Sequence, residues 1–240
     1  MCGRFSLRTT LDEVSRNFEA AAGTIEEWVP RYNIAPTQDV IAARPAPQGR
    51  ELVLLHWGLI PRWYDDPATG GRFINARAES AHIKPMFRDA FWNRRCLIGA
   101  DGFFEWRTTH GIKQPWYIMR VDGKPFGFAG LWERWGGGSE EAIESCTILT
   151  TRPNEVVEPL HDRMPVIVSP DDYGRWLDPM DANLDELQAM FEPIRAEELT
   201  AHPVSRLVND PWNDSPACVD PDEYEPPSPP LELDLFEADD

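Results

Sequence analysis

The feature that most constrains the fold is a run of strand-forming segments punctuated by tight turns across the middle of the chain. Cys96–Ala100, Gly102–Trp106, Pro115–Val121 and Phe126–Trp135 are rich in aromatic and β-branched residues, with His110-Gly111 and Asp122-Gly123 between consecutive runs. Short apolar runs separated by Gly-containing dipeptides predict antiparallel hairpins, because such turns supply the positive φ that a right-twisted hairpin needs. Further strands are predicted at Val40–Ala43, Leu52–Trp57, Ile143–Thr151, Val166–Ser169 and His202–Asn209, with a Pro/Gly-rich loop over Arg44–Arg50. Helical signals are few and short. Thr10-Leu-Asp-Glu13 fits a capping box opening a helix over residues 11–21, in which Leu11, Val14 and Phe18 recur at helical spacing. A helix through Ser80–Ile83 is broken at Pro85 and resumes over Met86–Asn93; Ser169-Pro-Asp-Asp172 caps another running to about Leu177, and Leu184, Leu187, Met190 and Phe191 mark one more.

Composition bounds the class. The chain has 240 residues, 42% of them hydrophobic, enough to bury one large core. No apolar run reaches the ~18 residues of a membrane span, and the start lacks the basic-then-apolar pattern of a secretory signal, so an intracellular protein is expected. The four cysteines, Cys2, Cys96, Cys146 and Cys218, are widely spaced without a Cys-x-x-Cys pair, which argues against a disulfide framework and a zinc site. Cys96 and Cys146 lie in apolar runs and read as packing thiols. The net charge is −18, yet 17 of the 23 Lys and Arg residues lie within residues 1–125. A local cationic face is therefore compatible with a polyanionic partner despite the acidic sum. Residues 214–240 hold 10 acidic and no basic residues and include Glu225-Pro-Pro-Ser-Pro-Pro230, which predicts a domain over residues 2–213 and a disordered acidic tail over 214–240. Its Leu231–Phe236 stretch reads either as a docking peptide for a protein partner or as solvated tail.

Chemistry concentrates at the start, Met1-Cys2-Gly3-Arg4. Removal of Met1 would leave Cys2 with a free α-amine and a thiol. An α-amine with a pKa of about 7.7–8.0 is partly unprotonated near neutrality and attacks aldehydes, after which the neighbouring thiol can close a thiazolidine. Glu105 interrupts the aromatic run Phe103-Phe104-Glu105-Trp106; it is either partly buried and raised in pKa, suiting acid/base work, or exposed on a wet face. His161, beside Asp162 and Arg163, is either a proton-transfer group or a structural histidine. Trp63 and Tyr64, between Arg62 and Arg72, form either a base-stacking platform or part of the core, whereas Trp57 reads as core.

In order, Met1-Cys-Gly-Arg-Phe5, Tyr32-Asn-Ile-Ala-Pro36, Trp57-Gly-Leu-Ile-Pro61, Asn75-Ala-Arg-Ala-Glu79, Gly102-Phe-Phe-Glu-Trp106, His161-Asp-Arg-Met-Pro165 and His202-Pro-Val-Ser-Arg206 form a pattern over residues 2–209. The chain resembles the SOS-response-associated peptidase (SRAP) family, which includes abasic-site shielding proteins that crosslink to single-stranded DNA. The resemblance implies an α+β single domain around a barrel-like, mainly antiparallel β-sheet with peripheral helices. It implies that Cys2 is the nucleophile, Glu105 the acid/base near its amine, His161 a second proton-transfer or sugar-contacting group, and Asn75 a positioner of the N-terminus and ring. Arg4, Arg77 and Arg163 fall in the DNA-binding and site-lining set, Thr150 matches a polar residue placed before the His161 loop, and the aromatic wedge falls at Trp63 and Tyr64. The second ring being tyrosine, and the extended loop Asp65–Arg72 after it, depart from the family pattern. The implied function is covalent shielding of abasic sites in single-stranded DNA by a monomer, without cofactor, metal or membrane, in the cytoplasm and on the nucleoid if the source is bacterial. Removal of Met1 by the protein itself is implied by the family's name, although an ordinary methionine aminopeptidase would also accept Cys at position 2. Two rivals remain: a cysteine peptidase or N-terminal-nucleophile amidohydrolase, which leaves the arginines and aromatic pair unused, and a noncovalent single-strand binder, which leaves Cys2 without a role.

Overall fold

In the computed structural model, residues 2–68, 73–137, 142–180 and 183–223 are described. Met1, Arg72, most of the Gly136–Glu141 loop and residues 224–240, including the Leu231–Phe236 stretch, lie outside them. Thirteen strands are present among the described residues: β1 Phe5–Leu7, β2 Arg31–Ile34, β3 Asp39–Ala46, β4 Gly49–Trp57, β5 Asn75–Arg77, β6 Arg95–Ala100, β7 Gly102–Thr109, β8 Ile112–Arg120, β9 Phe126–Trp135, β10 Ile143–Thr151, β11 Met164–Pro165, β12 Ile167–Val168 and β13 Leu199–Pro203. The helices are α1 Leu11–Phe18, α2 Ala78–Ala81, α3 Pro85–Asn93, α4 Tyr173–Leu177 and α5 Leu184–Ala189.

The strands make two layers. One is a five-stranded sheet in the order β13-β8-β7-β1-β2. In the other, β10 pairs both with β4 and with β9, so β4, β3, β6, β9 and β10 close into a ring. Closure needs one parallel pairing, Ser145 with His56 and Cys146 with Trp57. Closing a sheet removes its open edges and encloses a core. Phe5 reaches from the first sheet to Trp57 and Phe128 on the barrel, with ring centroids 5.0 and 5.6 Å away in edge-to-face geometry. The expected α+β architecture around a mainly antiparallel, barrel-like sheet is therefore the one observed, and the fully buried Trp57, Cys96 and Cys146 belong to its core.

Local chemistry sets the element ends. Thr10 Oγ1 accepts the Glu13 N–H, and α1 stops at Glu19, whose φ of 49° closes the last turn short of the expected end at residue 21. The β7–β8 hairpin turns through His110 and Gly111, with φ of 48° and 78°, as a two-residue turn with both φ positive. Gly102 is required by close approach, since a Cβ there would sit 2.4 Å from Tyr117 Cζ and 2.7 Å from Ile118 O.

Three expectations are corrected. Arg44–Arg50 is not a loop: β3 and β4 run on to a two-residue turn at Pro47-Gln48, and the Arg44–Glu51 ion pair at 2.8 Å lies across the ladder. The strand expected at His202–Asn209 ends at Pro203, because Ser205 Oγ accepts the Leu207 N–H and turns the chain into a short 3₁₀ segment. Packed chain also continues beyond Asn213. Asp214 accepts the Tyr32 and Asn33 N–H groups, Cys218 is fully buried, and Asp222 N–H donates to Pro203 O at 2.9 Å. These backbone contacts hold the segment despite its acidic composition.

Candidate active site

The start of the chain is held from two sides. Arg4 O accepts the Phe104 N–H at 2.9 Å, which carries the ladder between β1 and β7 one residue beyond Phe5 and lays residues 2–4 beside Glu105. From the other layer, Asn75 Nδ2 donates to Cys2 O at 2.7 Å. Asn75 begins β5, which runs parallel to β10 with Ile148, Leu149 and Thr150 opposite Asn75, Ala76 and Arg77. Cys2 is buried, its Sγ 3.9 Å from Arg4 O. Burial foremost, and then the charge of Glu105, push its thiol well above the ordinary range, so the resting side chain is a thiol.

The alternative left open for Glu105 is decided by packing. It is 3% exposed, on β7 opposite Trp116. Desolvation lifts its carboxyl to about 7, against the pull of the amino-terminal charge and Lys113, with Asp162 adding to the rise. A carboxyl at that value exchanges protons readily near neutral pH. His161 lies on the loop before β11. Its Nδ1 accepts the Arg163 N–H at 2.9 Å, so the neutral ring carries its proton on Nε2. Burial first, and the amino-terminal charge next, lower its pKa, which keeps the ring neutral at pH 7. The Asp162 carboxylate, 2.9 Å from the same Nδ1, becomes an ion-pair partner when the ring is protonated.

The structure separates the remaining candidates by accessibility. Arg77 is exposed. Arg163 is engaged: Nη1 and Nη2 reach the two Glu79 oxygens at 2.6 and 2.9 Å, and Nη2 also donates to Thr150 O. Burial alone would raise the Glu79 carboxyl, but the Arg163 hydrogen bonds outweigh it and hold it low. Thr150 is buried, with Oγ1 3.4 Å from Ala76 O, so it braces β5 from below. Arg4 Nη1 donates to Asn33 Oδ1 at 2.8 Å and Val208 O at 2.6 Å, tying β1 to the segment after β13. Trp63 is 48% exposed, whereas Tyr64 continues an edge-to-face series through Phe73 to Phe87 and bonds Met86 Sδ through its hydroxyl. The pair thus combines one presented ring with one supporting ring, 6.2 Å apart.

Two contributors escaped the sequence reading. Asn33 is fully buried and donates through Nδ2 to Val208, Asp210 and Asn213 carbonyls while its Oδ1 holds Arg4. Glu79 fixes Arg163. An asparagine inside the extended run Arg31–Ile34 was the available signal for Asn33; nothing local marked Glu79 as the partner of a residue 84 positions away.

A buried thiol beside the chain start, a carboxyl titrating near neutrality and a neutral imidazole, set between two sheets, describe a compact thiol-and-carboxyl site. The chain belongs to the SOS response associated peptidase (SRAP) family, whose profile matches residues 1–211. It is 40% identical over 222 residues to abasic site processing protein YoqW of Bacillus subtilis, covering 92% of this chain and 99% of that protein. It is 30% identical to abasic site processing protein YedK of Escherichia coli, covering 92% and 100%. Among solved structures, a Bacteroides thetaiotaomicron protein superposes with a TM-score of 0.83 at 24% identity, over 92% of this chain and all of that one, which establishes the shared fold.

Proposed function

We propose that this protein processes abasic sites in single-stranded DNA by forming a covalent thiazolidine through Cys2 once Met1 is removed. The reading is carried by the buried Cys2 thiol lying within the electrostatic reach of a Glu105 carboxyl lifted to about 7, and is supported by the abasic-site names of the relatives. Acting first, the Cys2 α-amine attacks the aldehyde of the ring-opened deoxyribose. Glu105 relays two protons in turn from that nitrogen to the aldehyde oxygen, first giving the carbinolamine and then letting water leave as the imine forms. The thiol, kept protonated by burial, then gives its proton to Glu105 while sulfur bonds to the imine carbon, and the nitrogen is reprotonated. His161, neutral with its proton on Nε2, donates to the sugar oxygen during ring opening.

Asn75 has a second part in this order of events. Its Nδ2 is committed to Cys2 O, and its buried Oδ1 has no hydrogen-bond partner among the described residues. In the processed protein that oxygen is an acceptor for the Cys2 amine, which would orient the lone pair toward the aldehyde. A thiol kept neutral by its surroundings is a poor attacker of amide bonds, since the thiolate is the nucleophile; this favours imine formation over general peptidase chemistry. Met1 leaves in a separate earlier step, either by self-cleavage or through a methionine aminopeptidase, which accepts Cys at position 2.

Mass spectrometry of the purified protein, before and after incubation with an abasic oligonucleotide, tests the reading. The expected species are the chain without Met1 and an adduct equal to protein plus oligonucleotide minus one water. Cys2→Ala protein should give only an imine that requires borohydride trapping; a heat-stable adduct from that variant would refute the mechanism.

A further inference from the structure

The turn after β13 presents a tryptophan to water on an otherwise fixed backbone. Trp212 is 88% exposed and Leu207, on the same turn, 48%. Beneath them, Asp210 Oδ1 accepts the Trp212 N–H at 3.0 Å, Asn213 Nδ2 donates to Leu207 O at 2.9 Å, and the buried Asn33 amide bonds the Asp210 and Asn213 carbonyls at 3.1 and 2.6 Å. A tryptophan on a fixed backbone offers a large flat contact with only two side-chain torsions left to order on binding.

The turn adjoins the reaction site. Val208 O holds Arg4, and Asn209 Oδ1 accepts the Nε1–H of Trp106, the residue after Glu105, at 2.7 Å. Lys113 Nζ sits 5.4 Å from the Trp106 ring centroid. Cys2 is thus flanked by two different structures: Asn75, which follows the Trp63–Tyr64 segment, and the Trp212 turn, reached through Arg4. Of the carboxylates on this segment, Asp214 accepts from Arg31 and from the Tyr32 and Asn33 N–H groups and Asp210 accepts from the Trp212 N–H, while Asp220, Asp222 and Glu223 are exposed. Arg206 and Lys113 are exposed, and neither makes a salt bridge among the described residues.

The geometry points to a second base-stacking platform: Trp212, with Leu207 beside it and Arg206 and Lys113 for phosphates, takes an unpaired base on one side of the lesion, while Trp63 serves the other side. This rests on the proposed single-stranded DNA substrate and adds a polarity to it. Aromatic stacking suits any base, so the platform tracks the strand without reading sequence.

Binding is measured in a Cys2→Ala background, where no stable adduct interferes, with undamaged single strands and with abasic duplexes carrying unpaired nucleotides only 5′ or only 3′ of the lesion. Trp212→Ala should raise Kd roughly 5- to 100-fold on the full single strand and on one of the two one-sided substrates. Trp212→Phe should recover most of the loss, and Trp63→Ala should show the opposite side preference. The exposed position predicts an unchanged melting temperature for Trp212→Ala. Equal affinity on all substrates, which would leave the indole to a protein partner, overturns the platform, as does an equal loss on both one-sided substrates. If the parent protein failed to bind single strands at all, the proposed function itself would fall; if it binds and Trp212→Ala binds equally, only the platform falls.

Discussion

Replacing Glu105 by glutamine should make the protein more stable and less active, and the stability gain should depend on pH in a defined direction. The carboxyl is 3% exposed and titrates at about 7 rather than 4.5, mainly because burial disfavours its charged form. The folded protein therefore holds this proton more tightly than the unfolded chain does. Stability from this group is full below pH 4.5, falls as pH rises from 4.5 to 7, and is level above. At about 1.36 kcal/mol per pH unit, the interval sets a ceiling of about 3 kcal/mol at pH 8. Glutamine keeps the shape without ionising, so Glu105→Gln escapes that penalty. At roughly 2–4 °C per kcal/mol for a domain of this size, its melting temperature should exceed the parent's by up to about 6–12 °C at pH 8, with the gap closing near pH 4. Loss of the exchangeable proton should slow single-turnover adduct formation by about 10²-fold or more, with noncovalent DNA affinity little changed. Scanning calorimetry at pH 4, 6 and 8, beside single-turnover gels at pH 7, gives both readouts. A melting difference independent of pH, or an unchanged adduct rate in a folded variant, would refute the reasoning.

Asn75→Ala removes the 2.7 Å hydrogen bond to Cys2 O and the acceptor proposed for the amine; the adduct rate should fall roughly 10- to 100-fold from misplacement alone, checked by single-turnover kinetics at saturating DNA. Arg77→Ala, at an exposed position, should weaken binding of every sequence alike and reduce the slope of log affinity against log salt by about one, measured by fluorescence anisotropy between low and physiological salt. Arg163→Lys cannot keep the two-pronged contact with Glu79; it should lower the adduct rate through the His161 loop while leaving the salt slope of binding unchanged, and a flattened slope would instead make Arg163 a phosphate contact. Gly102→Ala should destabilise by about 1–3 kcal/mol in urea unfolding, since its Cβ overlaps Tyr117.

Much of this protein is local, and therefore legible from sequence. Alternation and turn residues marked β6 to β9 because side-chain period and positive-φ demands act within a few residues. The Thr10 cap, the break at Pro85 and the aminothiol potential of Cys2 are likewise properties of short segments. Tertiary structure decided what covers each face. Period-two alternation put Glu105 on a face but could not bury it; the Arg4–Phe104 hydrogen bond and the Asn75 clasp on Cys2 did so, by laying the chain start beside it. Closure of the barrel depends on pairing Trp57 with Cys146, 89 positions apart, which no local pattern encodes. In the same way, Arg163 looked like a free cation until Glu79, and Asp214 looked like solvated tail until the Tyr32 and Asn33 amides. Local sequence fixes which side chains share a face, whereas long-range pairing fixes whether that face meets water, a partner charge or the core, and with it the pKa and role of each group.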